Sequence, residues 1–271
     1  MSMSGKIGLA LRAWQNVLLG GNLASLPLAT RPRQLLAYTS ETLFQYQLGH
    51  GAGLPRKPVY EAFPLAGADV RLGCLDGYNW LHSETPPFAI DLLSLVLLCR
   101  GLQPRTVFEI GTFVGYTALH MALNTPADAR ICTLDLPRED RGTRLRTTAT
   151  DHKLIDRDLG PPLFAGTEAA GKVERLFGDS ATFDFSPWHG AVDLFFVDGA
   201  HSYDYVRSDT LNALKCVRPG GVVAWHDYGR LEQRGVTRFL HEFARDHAVY
   251  AVPNGSVAYH QVPEGDPLSG S

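Results

Sequence analysis

From about residue 104 onward, short β-rich apolar runs alternate with stretches whose apolar positions recur at helical spacing. That alternation is the signature of βαβ units around a mainly parallel sheet. Arg105 to Ile110 reads as a first strand, Tyr116 to Leu123 as a helix, Arg130 to Leu134 as a second strand and Val173 to Phe177 as a third. Ala191 to Val197 is almost continuously apolar, as a strand covered on both faces requires, and the stretch after it predicts a helix with Val206, Leu211, Leu214 and Val217 turned inward. Pro219-Gly220-Gly221 breaks that helix, Gly221 to Trp225 makes a fifth strand, and Val236, Phe239, Leu240 and Phe243 return to helical spacing. Ala248 to Val252 and Ser256 to Val262 flank Pro253-Asn254-Gly255, and Asn-Gly between β runs is a strong hairpin signal. The same turn accounts for the sequon Asn254-Gly255-Ser256. The expected fold is α/β: seven strands, mainly parallel, ending in an antiparallel hairpin strand.

Two regions depart from the repeating unit. Residues 1 to 85 show helical patterns interrupted by Gly and Pro, which predicts a helical extension serving as a lid or an oligomer contact. Pro86-Pro87 then opens the apolar helix Phe88 to Arg100, since proline is tolerated in a first turn. The main domain is placed at 86–271, with an insert at 137–172 between the second and third strands. At about 35 residues this insert is far longer than an ordinary connection and marks a lid or pocket wall.

Composition narrows the functional classes. In 271 residues, 25 Lys and Arg against 28 Asp and Glu give a net charge of -3, with 45% apolar residues, so a full core is affordable and no basic footprint for nucleic acid exists. The only basic stretch, Arg138 to Arg146, is diluted by Glu139 and Asp140. The most apolar segment, Phe88 to Cys99, contains Asp91 and is shorter than the roughly 20 residues that span a bilayer, so no membrane partner is expected. Lys6 precedes an apolar run, but Arg12 and Gln15 interrupt it and no small-residue cleavage site follows. Cys74, Cys99, Cys132 and Cys216 are widely spaced in apolar surroundings, reading as buried thiols of a cytoplasmic protein.

The chemistry concentrates at the ends of the predicted strands. The first runs into Glu109-Ile110-Gly111-Thr112-Phe113-Val114-Gly115, a strand, a glycine turn and a helix start, where a ligand can press on the backbone and meet free N–H groups. The spacing is G-x-x-x-G rather than the G-x-G-x-x-G of dinucleotide folds. Asp135 closes the second strand, 24 residues beyond Gly111, where a carboxylate accepts both ribose hydroxyls or simply caps the strand. Asp179 and Ser180 follow the third strand, as an adenine border or an N-cap. Asp198-Gly199-Ala200-His201 follows the fourth, and His226-Asp227-Tyr228 the fifth. Four strands thus finish in polar residues on one sheet edge, where open α/β sheets bind their ligands.

FEIGTFVGYTALHMA, LDL, FGDS, FFVDGAHSYDYV and RPGGVVAWHDY together resemble the class I S-adenosylmethionine-dependent methyltransferases over residues 86 to 262. They are most similar to the bacterial group with DGxHxY and HDY motifs, related to sugar O-methyltransferases of macrolide biosynthesis and more distantly to catechol O-methyltransferase. The resemblance implies a Rossmann-like sheet and S-adenosylmethionine as cofactor. It implies that Glu109, Gly111, Thr112 and Gly115 cradle the methionine part, that Asp135 holds the ribose, that Asp179 and Ser180 border the adenine, and that Asp198 adjoins the cofactor. It further implies a divalent metal at Asp198, His226 and Asp227. An acidic pair ends the fifth strand in the metal-dependent relatives. Here His226-Asp227 stands instead, and imidazole suits zinc, iron or nickel better than magnesium, so the alternatives are another ion or none, with His226 a substrate contact or a hydrogen-bonded strand-end histidine. His201 matches the general base of the macrolide enzymes, with Asp198 placed to orient or charge it; the alternative is a cap of the following helix.

The expected reaction is transfer of the sulfonium methyl to an oxygen of a small hydroxylated acceptor, sugar, polyketide or phenol, by a homo-oligomeric enzyme. N- or C-methylation on the same fold and an NAD-dependent oxidoreductase are the alternatives, the second disfavoured by the glycine spacing.

Overall fold

A seven-stranded sheet organises the chain in the computed structural model, which describes residues 53–65, 69–73, 88–137, 142–155 and 160–265. The strands are β1 (Thr106–Ile110), β2 (Arg130–Asp135), β3 (Val173–Phe177), β4 (Val192–Val197), β5 (Val217–Trp225), β6 (Tyr250–Ala251) and β7 (Ala258–Gln261). Their order is β3-β2-β1-β4-β5-β7-β6. β1 to β5 run parallel, and β7 lies antiparallel between β5 and β6, as the Asn-Gly turn predicts.

The chain divides into two compact units, residues 1–53 with 229–231, and residues 54–228 with 232–271. The described part of the first is Gly53 and residues 229–231. The second carries the sheet and everything discussed below. Most of the helical pattern read over residues 1–85 lies outside the described residues, as do Cys74, Pro86, Pro87, Arg138 and Arg141. Cys99, Cys132 and Cys216 are buried free thiols.

Helices α1 (Val59–Ala62), α2 (Phe88–Leu102), α3 (Tyr116–Asn124), α4 (Ala149–Ile155), α5 (Tyr203–Cys216) and α6 (Arg234–Phe243) complete the unit. The period-2 alternation of the strands splits their apolar side chains between two cores. Phe108, Phe195, Val223 and Trp225 pack with Val206, Ala213 and Leu240 of α5 and α6 on one face. Val107, Phe196, Val222 and Ala224 pack with Leu95, Leu98, Leu119 and Met121 of α2 and α3 on the other. Burial on both faces is why β4 carries so little polarity.

Two elements differ from the sequence reading. In α5 the buried positions include Tyr205, Val206, Asp209, Thr210 and Ala213, whereas Leu211 is 43% exposed. Val206 and Val217 are buried and Leu214 packs on the core as expected, so Leu211 alone departs from the reading; Thr210, which accepts from the Trp225 indole (Nε1 to Oγ1, 2.8 Å), takes the inward place beside it. β5 begins at Val217 and passes through Pro219-Gly220-Gly221 instead of starting after it. The register against β4 slips there, between Val192 and Leu194, and Gly220 takes a φ of 78°. A bulge thus absorbs residues that read as a helix breaker.

β1 connects towards β2 and β3 on one side, and β4 towards β5 on the other, so the winding reverses between β1 and β4. Ile110 pairs with Val197 there, which sets Gly111 beside Asp198 at the carboxyl edge.

Candidate active site

The glycine turn is shaped by that adjacency. Gly111 has a φ of 100°, and a Cβ on it would lie 2.0 Å from the Asp198 carbonyl oxygen, so no larger residue fits. Gly115 caps α3 with a φ of 74°, and its Cβ would meet the Phe164 ring at 2.7 Å. Phe164 belongs to the long insert, and Leu163 N–H donates to Val114 O at 2.8 Å, so this part of the insert lies against the turn.

Behind the turn, Thr112 Oγ1 and Thr133 Oγ1 are 2.7 Å apart, and Thr133 Oγ1 donates to Glu109 Oε2 at 2.5 Å. Glu109 is fully buried and its Oε1 meets no hydrogen-bond donor. Burial raises its pKa well above the usual range, with Asp198 and Asp135 adding to the rise and Thr133 opposing it. An orphaned acceptor of this kind calls for a donor from a ligand.

Asp135 ends β2, accepting from Leu136 N–H at 3.0 Å and pairing with Arg175 at 3.4 Å. Burial raises its pKa, against the pull of Arg175. Asp179 accepts from Ala181 N–H at 3.0 Å, Tyr205 OH at 2.9 Å and Arg144 N–H at 2.6 Å, so it serves as a loop anchor joining the third strand end to the insert. Ser180 is buried near Asp209, a fully buried carboxyl whose oxygens meet no donor in good geometry; burial, opposed in part by Ser180, pushes the Asp209 pKa up to about 7.

The fourth and fifth strand ends converge on a pocket lined by Asp198, His201, Trp225 and His226. His201 lies between two carboxylates, with Nδ1 2.5 Å from Asp151 Oδ1 and Nε2 2.7 Å from Asp227 Oδ2. Burial favours the neutral ring, yet the hydrogen bonds to Asp151 and Asp227 outweigh it and raise the pKa to about 10. Asp151, although burial acts to raise it, is held below the usual carboxylate value by His201 and Thr148. His226 is bracketed in the same manner: Nδ1 is 3.0 Å from Asp198 Oδ1 and 3.6 Å from Asp227 Oδ2, and Nε2 is 3.2 Å from Asp91 Oδ2. Burial opposes its charge, but Asp198, Asp227 and Asp91 push its pKa well up. Asp227 has a φ of 59°, a left-handed conformation that Asp tolerates better than most side chains and that gathers at functional sites.

A methyltransferase-domain family profile matches residues 108–228, from inside β1 to the tyrosine after β5, with the strand order and antiparallel β7 of that fold around it. Residues 108–228 thus carry a methyltransferase domain. That match favours methyl transfer over the oxidoreductase alternative. The chain is 30% identical over 189 residues to tricin synthase 1 of Oryza sativa subsp. japonica, covering 69% of this chain and 66% of that protein. To a caffeoyl-CoA O-methyltransferase of Stellaria longipes it is 28% identical over 144 residues, 52% of each. The chain spans about half the length of the caffeoyl-CoA O-methyltransferases it matches. Among solved structures, the O-methyltransferase TomG of Streptomyces achromogenes, involved in tomaymycin synthesis and determined with S-adenosylmethionine, aligns with 76% of this chain and 86% of its own at 23% identity and a TM-score of 0.46.

The strand-end residues expected from sequence do gather at one edge of the sheet, with one reassignment. Asp198 bonds His226, and the carboxylates that bond His201 are Asp151 and Asp227. Nor is His201 a helix cap, because Ser202 caps α5 by accepting from Tyr205 N–H. Two members of the site escaped the sequence reading. Asp91 carried a signal, a single carboxylate inside an apolar helix. Asp151 carried none, since it sits in the long insert among other polar residues.

Proposed function

We propose that the protein transfers the methyl group of S-adenosylmethionine to a hydroxyl oxygen of a small acceptor such as a sugar, polyketide or phenol. The observation that carries this reading is the pairing at the β1/β4 crevice of two features: a buried Glu109 oxygen lacking a donor, and a histidine seated between two carboxylates three residues beyond Asp198. O-methyltransferases among the relatives support oxygen as the receiving atom.

In this reading Glu109, Gly111, Thr112 and Gly115 hold the methionine part, Asp135 takes the ribose, and Ser180 with the loop anchored by Asp179 borders the adenine. The leaving group belongs to the cofactor, so the protein has chiefly to hold oxygen, carbon and sulfur in line. His201 Nε2, once the ring has given up its own proton, receives the acceptor proton, so turnover rises with pH. At rest that nitrogen faces Asp227, so an incoming hydroxyl displaces this 2.7 Å contact while Asp151 keeps the ring oriented through Nδ1. Asp198, at the mouth of the crevice, stands beside both cofactor and acceptor.

The donor set alternatively fits a divalent cation, because ligand atoms of Asp198, His201 and Asp227 lie within 4.8 Å of one another; His201 Nε2 would then be a ligand instead of the proton acceptor. Bound there, a cation would position the acceptor and lower the pKa of its hydroxyl.

Calorimetric titration with S-adenosylmethionine and S-adenosylhomocysteine tests the cofactor, with Kd of about 1 μM expected. Methyl-labelled cofactor presented with catechol, sugar and polyketide alcohols then tests the acceptor, with an O-methyl product identified by mass spectrometry. Failure of both adenosyl ligands to bind would overturn the proposal.

A further inference from the structure

Tyr205 joins the insert to the third strand end through one hydroxyl. It lies in the first turn of α5, four residues beyond His201, and is buried. Its hydroxyl accepts the Leu145 backbone N–H at 3.4 Å, and the Thr143 side chain bonds it as well. An N–H can only donate and a carboxylate can only accept, so the single hydrogen of the hydroxyl goes to Asp179 Oδ1, 2.9 Å away. Burial pushes the Tyr205 pKa up to about 12, so that hydrogen stays in place at neutral pH. The same carboxylate accepts the Ala181 N–H at Oδ1 (3.0 Å) and the Arg144 N–H at Oδ2 (2.6 Å). An ionised carboxylate offers about four acceptor positions. Among the described residues two are filled on Oδ1 and one on Oδ2, so the remaining position lies on Oδ2 and its direction is set. Asp179 is only partly buried, unlike the tyrosine behind it, and that position is within reach of a ligand.

We infer that Tyr205 is a positioning residue for the base of the adenosyl ligand: it ties the main chain of the insert to Asp179, so that the docking of the insert decides how well Asp179 Oδ2 accepts from the 6-amino group of adenine. The inference rests on the methyl-transfer reading for the presence of an adenosyl ligand, and it concerns which residues, without touching that ligand, decide how its base is held. A 6-amino group donates into the remaining Oδ2 position, whereas a 6-oxo group sets an acceptor against an acceptor. The donors from positions 144 and 145 are backbone N–H groups, and the Arg144 side chain is exposed, so the path of the insert matters here and its charge does not. The same insert brings Asp151 to His201, which makes the adenine end and the acceptor end of the crevice respond to one segment.

The test measures, by calorimetry on the full chain, the affinities for S-adenosylhomocysteine and for S-inosylhomocysteine, which carries a 6-oxo group in place of the amino group. The wild type is expected to prefer the adenosyl ligand by about 10- to 100-fold, the range of a hydrogen bond to a charged group. Tyr205→Phe removes only the hydroxyl; it lowers adenosyl affinity about tenfold and leaves inosyl affinity unchanged, so the preference narrows. Arg144→Pro takes the N–H from Asp179 Oδ2 on an exposed part of the insert and narrows the preference in the same way. Arg144→Ala keeps the N–H and with it the wild-type preference. A purely structural role for Tyr205 would weaken both ligands alike. Equal loss of the two ligands in Tyr205→Phe, an unchanged adenosyl affinity in that variant, or the same loss in Arg144→Ala as in Arg144→Pro would each overturn the inference. So would a wild type that binds the two ligands equally, and each of these results leaves the methyl-transfer reading standing. A wild type that binds neither ligand refutes the methyl-transfer reading and this inference with it.

Discussion

Asp151 and His201 are 50 residues apart in sequence, yet one carboxylate oxygen of Asp151 takes both the His201 ring at Nδ1, 2.5 Å away, and the His201 backbone N–H at 3.3 Å. The insert thus delivers the carboxylate that fixes both ring and main chain of the proposed base. Replacing Asp151 by Asn removes the charge and keeps the shape. The His201 pKa, about 10 in the wild type, then falls by roughly one to three units, as read by NMR titration of the ring. In turnover, the rise of rate with pH moves to lower pH while its plateau drops about tenfold, since orientation as well as basicity depends on the pair. A residue with only a structural role would lower the plateau and leave the position of the rise unmoved.

The same pair governs stability against alkali. His201 has a folded pKa of about 10 against an ordinary 6.5, so the folded state holds its proton more tightly than the unfolded chain. The stabilisation is whole below pH 6.5 and disappears as pH rises through about 10. Urea midpoints of wild type and His201→Gln, measured side by side, are expected to differ most at pH 6 and to converge by pH 10. A constant difference across that range would contradict the assignment.

Asp209 works in the opposite sense. Its folded pKa of about 7 exceeds the ordinary 3.8, so the unfolded chain is the better place for its negative charge, and the penalty grows from pH 3.8 to 7 and then stays. Asp209→Asn is expected to raise the unfolding free energy at pH 8 by roughly 4 kcal/mol more than it does at pH 4. Equal effects at the two pH values would show that the carboxyl is ionised in the fold without cost.

Gly111 is the tighter of the two glycines in the turn proposed to hold the cofactor. An alanine there would set its methyl 2.0 Å from the Asp198 carbonyl at a φ of 100°, and neither can yield without moving Asp198. Gly111→Ala is expected to cost roughly 3 kcal/mol of stability. It also lowers S-adenosylmethionine affinity about tenfold or more in calorimetry, with unaltered affinity as the contrary result.

How much of this was legible before folding depends on whether a signal was local. The strands and the polar residues that end them are local features: β4 could be read from its apolar run, and Asp198 and His226 from the ends of β4 and β5. The place of Leu211 in α5 was not local, because the Trp225 indole and the packing of Thr210, rather than helix periodicity alone, decide that Leu211 faces out. The start of β5 was hidden because a bulge lets Pro219-Gly220-Gly221 lie inside a strand. Asp91 and Asp151 reach the site only through tertiary packing, from before the first strand and from the insert. Nothing in their immediate sequence says which histidine each will meet.

The bonds between Asp91 and Ser256 join positions 165 residues apart. Contacts of such long separation in sequence close late, because the loop they seal must be brought together first. A ribosome that has released every strand-end residue up to Tyr228 has still not released the serine that holds Asp91 in place. The nascent chain therefore carries all these strand-end groups before it carries the serine that braces Asp91, and their alignment waits for the hairpin that joins β6 to β7.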